Sequence, residues 1–186
     1  MLLYLEITAN ALNAASIALA AMNSRYTWPV GIVGCLLFLV LFMQSQLYAD
    51  ALLQMFFTGT SIAGWRSWTQ HAGRAALPVS HVRLRQLLVQ VGLACAVCAA
   101  YGALLHAYTD AYSPYADSAV LAFSVLAQLL LMRRHYEAWW GWLLVNSIAV
   151  PLFWSRGLHI TAILYAGFWI NALVALVRWR DLVIRA

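Results

Sequence analysis

The segment from Gln46 to Trp68 reads QLYADALLQMFFTGTSIAGWRSW. It is mostly apolar and long enough to cross a bilayer, which takes roughly 17 to 25 residues. Its polar and aromatic side chains recur at steps of three or four residues, which places them on one face of an α-helix. Those side chains are Asp50, Gln54, Thr58, Ser61, Trp65 and Trp68. The pattern predicts a membrane helix that carries a polar and aromatic stripe.

The composition of the whole chain points to the same surroundings. Hydrophobic residues make up 65% of the sequence and charged residues only 9%, whereas about 25% of a typical soluble domain is charged. The apolar runs are continuous and lack the alternation of a transmembrane β-barrel. We therefore expect an all-α membrane protein with seven transmembrane helices. The segments are Leu2 to Met22, Thr27 to Met43, Tyr48 to Trp68, Gln86 to Leu105, Tyr115 to Met132, Ala138 to Phe153 and Leu158 to Val177.

Arginine gives the expected orientation, because the chain contains no lysine. Of its 11 basic residues, only Arg156 falls in a connection on the second side of the predicted bundle. The positive-inside rule then places the N-terminus outside and the C-terminus in the cytoplasm. The net charge of +5 is thus a topology signal, and no clustered basic face indicates a nucleic-acid partner.

The two longest polar connections flank helix four, so that three helices precede it and three follow it. A shift of 111 residues places Trp28 on Trp139 and Trp68 on Trp179. We therefore expect two parallel three-helix repeats joined by a linker helix, an arrangement that places substrate between the halves near the membrane midplane. Within a single transmembrane domain, 1–186, the repeats are 1–68 and 115–179, the cytoplasmic loop, linker helix and outer loop are 69–114, and the cytoplasmic tail is 180–186.

Few side chains in the predicted helices could carry out chemistry. Asp50, Asp117 and Glu137 lie at helix starts, where the interface and the helix dipole both favour a carboxylate. Only Glu6 lies about one turn inside a helix, so no chain of buried carboxylates indicates a proton relay, and we expect facilitated diffusion. The five histidines lie in loops or at helix ends rather than in facing pairs. We expect no cofactor, no metal and no enzyme activity, with a membrane-embedded haem or redox enzyme as the remote alternative.

Aromatic and amide side chains are the remaining candidates for a binding site. In EAWWGWLLVNS, residues 137–147, Trp139, Trp142 and Asn146 share one helix face. Tryptophan faces attract flat or cationic organic ligands, and amides hydrogen-bond their polar edges. The comparable groups on other helices are Gln54, Trp65, Gln128, Tyr165 and Asn171. The alternatives are structural, since amides join membrane helices and tryptophans anchor a chain at the interfaces. The anchoring role is expected for Trp28, Trp68, Trp154 and Trp179.

Several motifs, in order along the chain, resemble the PnuC family of vitamin transporters. The first half supplies WPVGI (28–32), LYADALLQMFF (47–57) and GWRSW (64–68). The second half supplies RRHYEAWWGWLLVNS (133–147) and GLHITAILYAGFWINALVALVRW (157–179). The resemblance covers the chain from Leu5 to Trp179.

The resemblance implies a SWEET-like core of three, one and three helices, a homotrimer, and uptake of nicotinamide riboside down its gradient. A cytoplasmic kinase would then trap the substrate. The binding region implied by the motifs comprises Gln54, Trp65, Trp139, Trp142 and Asn146, with Gln128 and Tyr165. Members that carry nicotinamide riboside often read G-x-x-N where this chain reads GIVG, so Gly34 takes the place of an amide.

Other substrates and another class of protein remain as alternatives. Relatives in the family carry thiamine or riboflavin. Nicotinamide riboside and thiamine are both cations that suit a tryptophan cage without any carboxylate. Outside transport, a structural or regulatory membrane subunit is the remaining alternative, and it would bind no vitamin.

Overall fold

The computed structural model describes residues 2–44, 48–69, 78–109, 112–157 and 159–184. Seven α-helices make up nearly all of this described part of the chain, as the apolar segments predict. They are α1 (Leu2–Ala21), α2 (Thr27–Gln44), α3 (Tyr48–Thr69), α4 (Leu84–Tyr108), α5 (Pro114–Met132), α6 (Ala138–Ser155) and α7 (His159–Ile184). The largest difference from the predicted segments is at α7, which continues past Val177 because neither glycine nor proline follows it.

Four of the described helices contain a window long and apolar enough to cross a membrane. The windows are Thr27–Gln44, Leu84–Tyr108, Pro114–Met132 and Thr161–Val183. In α4, the side chains of Leu84, Leu88 and Leu93 are 71%, 63% and 65% exposed. Lipid tails are as apolar as leucine, so a helix surface of this kind is stable in a bilayer and costly in water.

The helices form two compact units, Met1–Pro78 and Val79–Ala186. In the first unit, α2 packs against both α1 and α3. In the second unit, α4 packs on α5, α5 on α6 and α6 on α7. Each helix of a unit therefore packs on the next one in sequence, as short connections favour. The predicted linker helix, α4, belongs to the same compact unit as α5, α6 and α7.

The internal geometry of the two units shows the predicted repeat at an offset of 111 residues. Helices α2 and α6 both have 18 residues and begin at equivalent positions. The turn before α2 has Asn23 at φ 55°, and the turn before α6 has Arg134 at the same φ of 55°. In the first turn Ser24 N–H donates to the Leu19 carbonyl at 2.9 Å, and in the second His135 N–H donates to the equivalent carbonyl at 3.0 Å. The repeat is thus present in the backbone, well beyond the few identical side chains.

A buried pair of tryptophans joins the second and third helices of each repeat. Trp28 and Trp68 meet edge to face with ring centroids 5.2 Å apart, and Trp139 and Trp179 meet in the same way at 5.5 Å. None of the four side chains is more than 3% exposed. The expectation that Trp28, Trp68 and Trp179 anchor the chain at the interfaces is therefore wrong, because their rings are buried against each other. Trp154, which is 57% exposed, fits that role.

Small residues bring the helices of both repeats close together. In the first unit, the Ser16 and Thr27 hydroxyls each donate to the other residue's carbonyl at 2.8 Å. The equivalent residues of the second unit, Ala127 and Ala138, are both fully buried. In α3, a Cβ atom on Gly64 would lie 2.6 Å from a ring carbon of Trp28. Side chains at such contacts therefore fix how closely neighbouring helices approach.

Candidate functional site

The polar stripe of α3 faces the interior of the first unit over most of its length. Ser61 and Trp68 are 4% and 3% exposed, and Gln54 and Thr58 are half-buried. Trp65 lies at the edge of the stripe, with 37% of its surface exposed. An apolar helix keeps such a stripe because polar groups that face lipid without a partner are costly.

The predicted site residues of α3 do not contact each other. Gln54 and Trp65 are eleven residues apart, which corresponds to roughly 16 Å along a helix axis. Between them lies Thr58, whose buried Oγ1 has no hydrogen-bond partner in the described part of the chain. Thr60 on the same helix, by contrast, donates to the Phe57 carbonyl at 3.0 Å. Thr58 is therefore placed to bond with water or a ligand, although the sequence marked it only as a member of the stripe. The side chain of Asp50 lies outside the described residues.

Two amide side chains are buried in the second unit. Asn146 of α6 is 3% exposed, and Gln128 of α5 is 9% exposed. Neither amide forms a hydrogen bond with another residue that the structure describes. Amide groups that have no partner within the protein are available to bond with water or with a polar ligand. These groups are therefore suited to bind a polar ligand, rather than to join two helices.

Trp142 lies at the same level as one of these amides. A Cβ atom on Gly141 would lie 2.9 Å from the Cβ of Ala127, so α5 and α6 touch at this point. Gln128 and Trp142 are the next residues on their helices. Asn146 follows about one helical turn later on α6. Gln128 and Trp142 therefore lie next to the point where α5 and α6 touch, with Asn146 further along α6.

Trp139 and Tyr165 have other partners in the second unit. Trp139 packs against Trp179, and its buried Nε1 has no hydrogen-bond partner among the described residues. The Tyr165 ring packs against Phe153 of α6 and Phe168 of α7, with ring centroids 4.9 and 5.5 Å apart. Both residues therefore support the packing of α6 on α7, and Trp139 keeps one donor available.

Gly34, which takes the place of an amide in the GIVG motif, lies against an amide side chain of the neighbouring helix. A Cβ atom on Gly34 of α2 would lie 3.0 Å from Oδ1 of Asn13 of α1. A side chain at position 34 would therefore require Asn13 to shift by a few tenths of an ångström. In this chain α1 brings an amide to the place where α2 lacks one.

A short segment before α4, Val79 to Val82, is bound to the turn that precedes α6; we name it the clamp segment. Ser80 N–H donates to the Arg134 carbonyl at 3.2 Å, and Tyr136 N–H donates to the Ser80 carbonyl at 3.0 Å. Val79 and Val82 are only 5% and 8% exposed. Burial also lowers the pKa of the Arg134 guanidinium, because desolvation disfavours the charged form. The clamp segment thus fixes the start of the helix that carries Trp142 and Asn146.

Glu137 holds the clamp segment with both carboxylate oxygens. Oε1 lies 2.7 Å from Nδ1 of His81, and Oε2 accepts the Val82 N–H at 3.0 Å. The sequence predicted Glu137 as a carboxylate at a helix start, and its position confirms this. Its side chain makes no capping bond to α6, however. The bonds reach across 55 and 56 residues of sequence instead.

Replacing Glu137 by alanine should loosen the clamp segment. Hydrogen bonds to charged groups contribute about 1.5–3 kcal/mol, so we expect the Val82 amide to exchange its hydrogen about 10- to 100-fold faster. Hydrogen exchange with mass spectrometry would measure this. Asp181→Ala removes an exposed carboxylate on α7 and should leave the exchange of Val82 unchanged. Equal rates in Glu137→Ala and the unmodified protein would contradict the assignment.

At the opposite end of the second unit, Asp117 of α5 pairs with Arg156, which follows α6. The carboxylate and guanidinium are 2.6 Å apart, and both side chains are partly exposed. Arg156, the one arginine that the positive-inside rule predicts outside the cell, is thus neutralised by a carboxylate. No group of three His, Cys, Asp or Glu side chains suited to a metal ion occurs in the described ranges.

A family model connects these motifs with known proteins. The model described as nicotinamide mononucleotide transporter matches residues 3–181. The chain belongs to this transporter family. The resemblance to PnuC proteins is thereby confirmed, and this member of the family is a transporter rather than an enzyme. The alternative of a membrane-embedded haem or redox enzyme is accordingly wrong.

Curated relatives of this transporter have two different vitamins in their names. The nicotinamide riboside transporter PnuC of Escherichia coli is 27% identical over 176 residues, covering 80% of this chain and 73% of the relative. The riboflavin/roseoflavin transporter RibM of Streptomyces davaonensis is 25% identical over 168 residues, covering 88% of this chain and 78% of the relative. Together with the apolar helices, these transporter relatives make this chain a multi-pass protein of the bacterial inner membrane.

A solved structure confirms the fold of this transporter. The crystal structure of the vitamin B3 transporter PnuC matches with a TM-score of 0.76 and covers 98% of this chain and 83% of its own. Sequence identity over this match is 19%. The order of seven helices, with α4 between two groups of three, is therefore the family fold.

Proposed function

We propose that this transporter takes up nicotinamide riboside across the inner membrane by facilitated diffusion. The observation that carries the proposal is the pair of buried amides on α5 and α6, Gln128 and Asn146, which have no hydrogen-bond partner among the described residues. Nicotinamide riboside offers a carboxamide and several hydroxyls that need such partners. The names of the PnuC relatives support this choice of substrate.

The proposed site combines hydrogen bonding with attraction of a cation. Trp142 would stack on the pyridinium ring, whose positive charge favours the face of an indole. Asn146 and Gln128 would bond with the polar edges of the substrate. The further proposed contacts are Gln54 and Trp65 of α3, Trp139 of α6 and Tyr165 of α7.

We propose that transport is not coupled to the movement of an ion, because of where the acidic residues lie. The described carboxylates all lie near helix ends, and none is in the middle of a helix; they are Glu6, Asp117, Glu137 and Asp181. A proton relay through a membrane protein normally requires a carboxylate or histidine inside the bundle. We propose that a cytoplasmic kinase traps the substrate instead, that the C-terminus is cytoplasmic, and that the protein is a homotrimer.

Riboflavin is the second candidate substrate, and one observation favours it. The RibM relative, which has riboflavin in its name, matches 88% of this chain at 25% identity. Riboflavin is uncharged and larger, so it would use aromatic stacking without a cation–π term. Thiamine, a cation, remains the third candidate. The three vitamins differ enough in charge and size to be separated by binding.

We expect nicotinamide riboside to raise the melting temperature of the purified protein more than thiamine or riboflavin does. A ligand at 100 times its Kd stabilises the native state by about 2.7 kcal/mol. Asn146→Ala and Gln54→Ala should remove most of this stabilisation, because each variant lacks an amide that bonds with the vitamin in the folded protein. Thermal unfolding in detergent, with and without each vitamin, would measure both effects.

The matched controls replace exposed neighbours on the same helices. Leu144→Ala on α6 and Met55→Ala on α3 change side chains that are 43% and 57% exposed, and both variants should keep the ligand response. A full response in Asn146→Ala and Gln54→Ala would show that the site lies elsewhere. A larger response to riboflavin would replace the proposed substrate. A protein that none of the three vitamins stabilises would count against a vitamin site altogether.

A further inference from the structure

The second unit contains a cavity that the proposed transport site does not use. It has a volume of about 300 Å³ and is lined by His81, Tyr136, Arg180 and Val183. These residues come from the clamp segment, the turn before α6 and the end of α7. The volume is at the lower end of the roughly 300–1,000 Å³ found for small-molecule sites.

The lining of this cavity is rich in hydrogen-bond donors and contains no carboxylate among the described residues. The Arg180 guanidinium carries five N–H donors and takes part in no ion pair within the described part of the chain. Tyr136 adds a phenol hydroxyl. His81 uses Nδ1 for Glu137, at 2.7 Å, so that its Nε2 is available for a second partner. The cavity therefore favours an anion that accepts several hydrogen bonds.

The backbone that carries the three polar groups is held in place before any ligand arrives. Tyr136 N–H donates to the Ser80 carbonyl at 3.0 Å, which ties the turn to the clamp segment. The rings of His81 and Tyr136 pack edge to face with centroids 5.5 Å apart. Trp179, the residue before Arg180, is fully buried against Trp139. Binding would therefore require little ordering of the backbone, and mainly the exposed Arg180 side chain would have to be ordered.

We propose that the cavity lined by His81, Tyr136 and Arg180 is a binding site for a phosphate group. Arginine matches two phosphate oxygens with its planar fork, and the hydroxyl and imidazole can each reach a further oxygen. Two sources supply this chemistry at the arginine-rich end of the bundle. One is inorganic phosphate or a soluble phosphate monoester, and the other is the headgroup phosphate of a lipid. The proposal stands independently of the identity of the transported vitamin.

Thermal unfolding of the delipidated protein would test the site, with inorganic phosphate titrated against chloride at constant ionic strength. Phosphate should raise the melting temperature, and Arg180→Gln should weaken the apparent affinity about tenfold or more. Arg178→Gln, two residues earlier on α7 and outside the lining, should change it by less than about twofold. Tyr136→Phe removes only a hydroxyl and should weaken binding while leaving the fold intact.

A second measurement distinguishes the two sources. In nanodiscs that contain phosphatidylglycerol, continued stabilisation by inorganic phosphate would assign a soluble ligand. Loss of that response, together with a phospholipid adduct in native mass spectrometry that Arg180→Gln abolishes and Arg178→Gln keeps, would assign a lipid headgroup. The proposal is overturned if neither phosphate stabilisation nor a phospholipid adduct depends on Arg180.

Discussion

Replacing Gly64 by leucine should destabilise the protein by overpacking the contact between α2 and α3. A Cβ atom at this position would lie 2.6 to 2.7 Å from three carbons of the Trp28 ring. Trp28 cannot yield freely, because it is only 2% exposed and its ring meets Trp68 edge to face. Overpacking of this kind costs about 1–3 kcal/mol, and a leucine would reach the upper end. Thermal unfolding in detergent would measure the loss.

Gly59 provides a matched control on the same helix. A Cβ atom on Gly59 would have no neighbouring atom within 4 Å, so Gly59→Leu has open space around it. We expect Gly59→Leu to leave the melting temperature unchanged or to raise it slightly, since glycine costs about 1 kcal/mol in a helix relative to other residues. Equal melting temperatures for the two leucine variants would contradict the tight contact between α2 and α3.

The helices could be predicted from sequence because lipid leaves the backbone few choices. A continuous apolar run must satisfy its own hydrogen bonds, so Thr27–Gln44 and Leu84–Tyr108 follow from length and composition alone. The repeat was also readable, since two tryptophan matches at one offset are preserved as two packed pairs. Composition could not show whether Trp28 and Trp179 lie at the membrane interface or in the protein core. An amphipathic ring is stable in both places.

The candidate site could be predicted as a set of residue types but only partly as a geometry. Asn146 and Gln128 are buried amides, as expected of polar groups in apolar helices. Periodicity also placed Trp139 on the same face as Trp142, yet Trp139 packs against Trp179 from a distant part of the chain. The 3.6-residue period of a helix shows which face a side chain lies on. It does not show which residue of another helix that side chain contacts.

The clamp segment could not be predicted at all. Its bonds join Ser80 and Val82 to residues 54 to 56 positions later, and no local pattern records such a pairing. Polar residues between two membrane helices read as an ordinary loop, whereas Val79 and Val82 are buried. Contacts of this kind depend on the packing of α4 on α5, which exists only after the unit has folded.

Replacing Trp179 by alanine should destabilise the second unit by about 3–5 kcal/mol, the cost of removing a buried tryptophan. Trp179 is fully buried, and its ring supports Trp139 at 5.5 Å. The cavity left behind would also free the start of α6, so we expect weaker vitamin binding although Trp179 is not a proposed contact. For a chain of this size the expected fall in melting temperature is on the order of 10 °C.

Trp140→Ala separates the loss of packing from the loss of an aromatic residue as such. Trp140 is adjacent to Trp139 but 56% exposed, so its removal should lower the melting temperature by little and leave ligand stabilisation in place. Trp179→Phe adds an intermediate case, because a smaller ring keeps part of the contact and should recover part of the stability. If Trp179→Ala and Trp140→Ala unfold at the same temperature, the buried pair does not hold α6 against α7. Trp139 would then be free to act mainly as a ligand contact, as the motif alone implies.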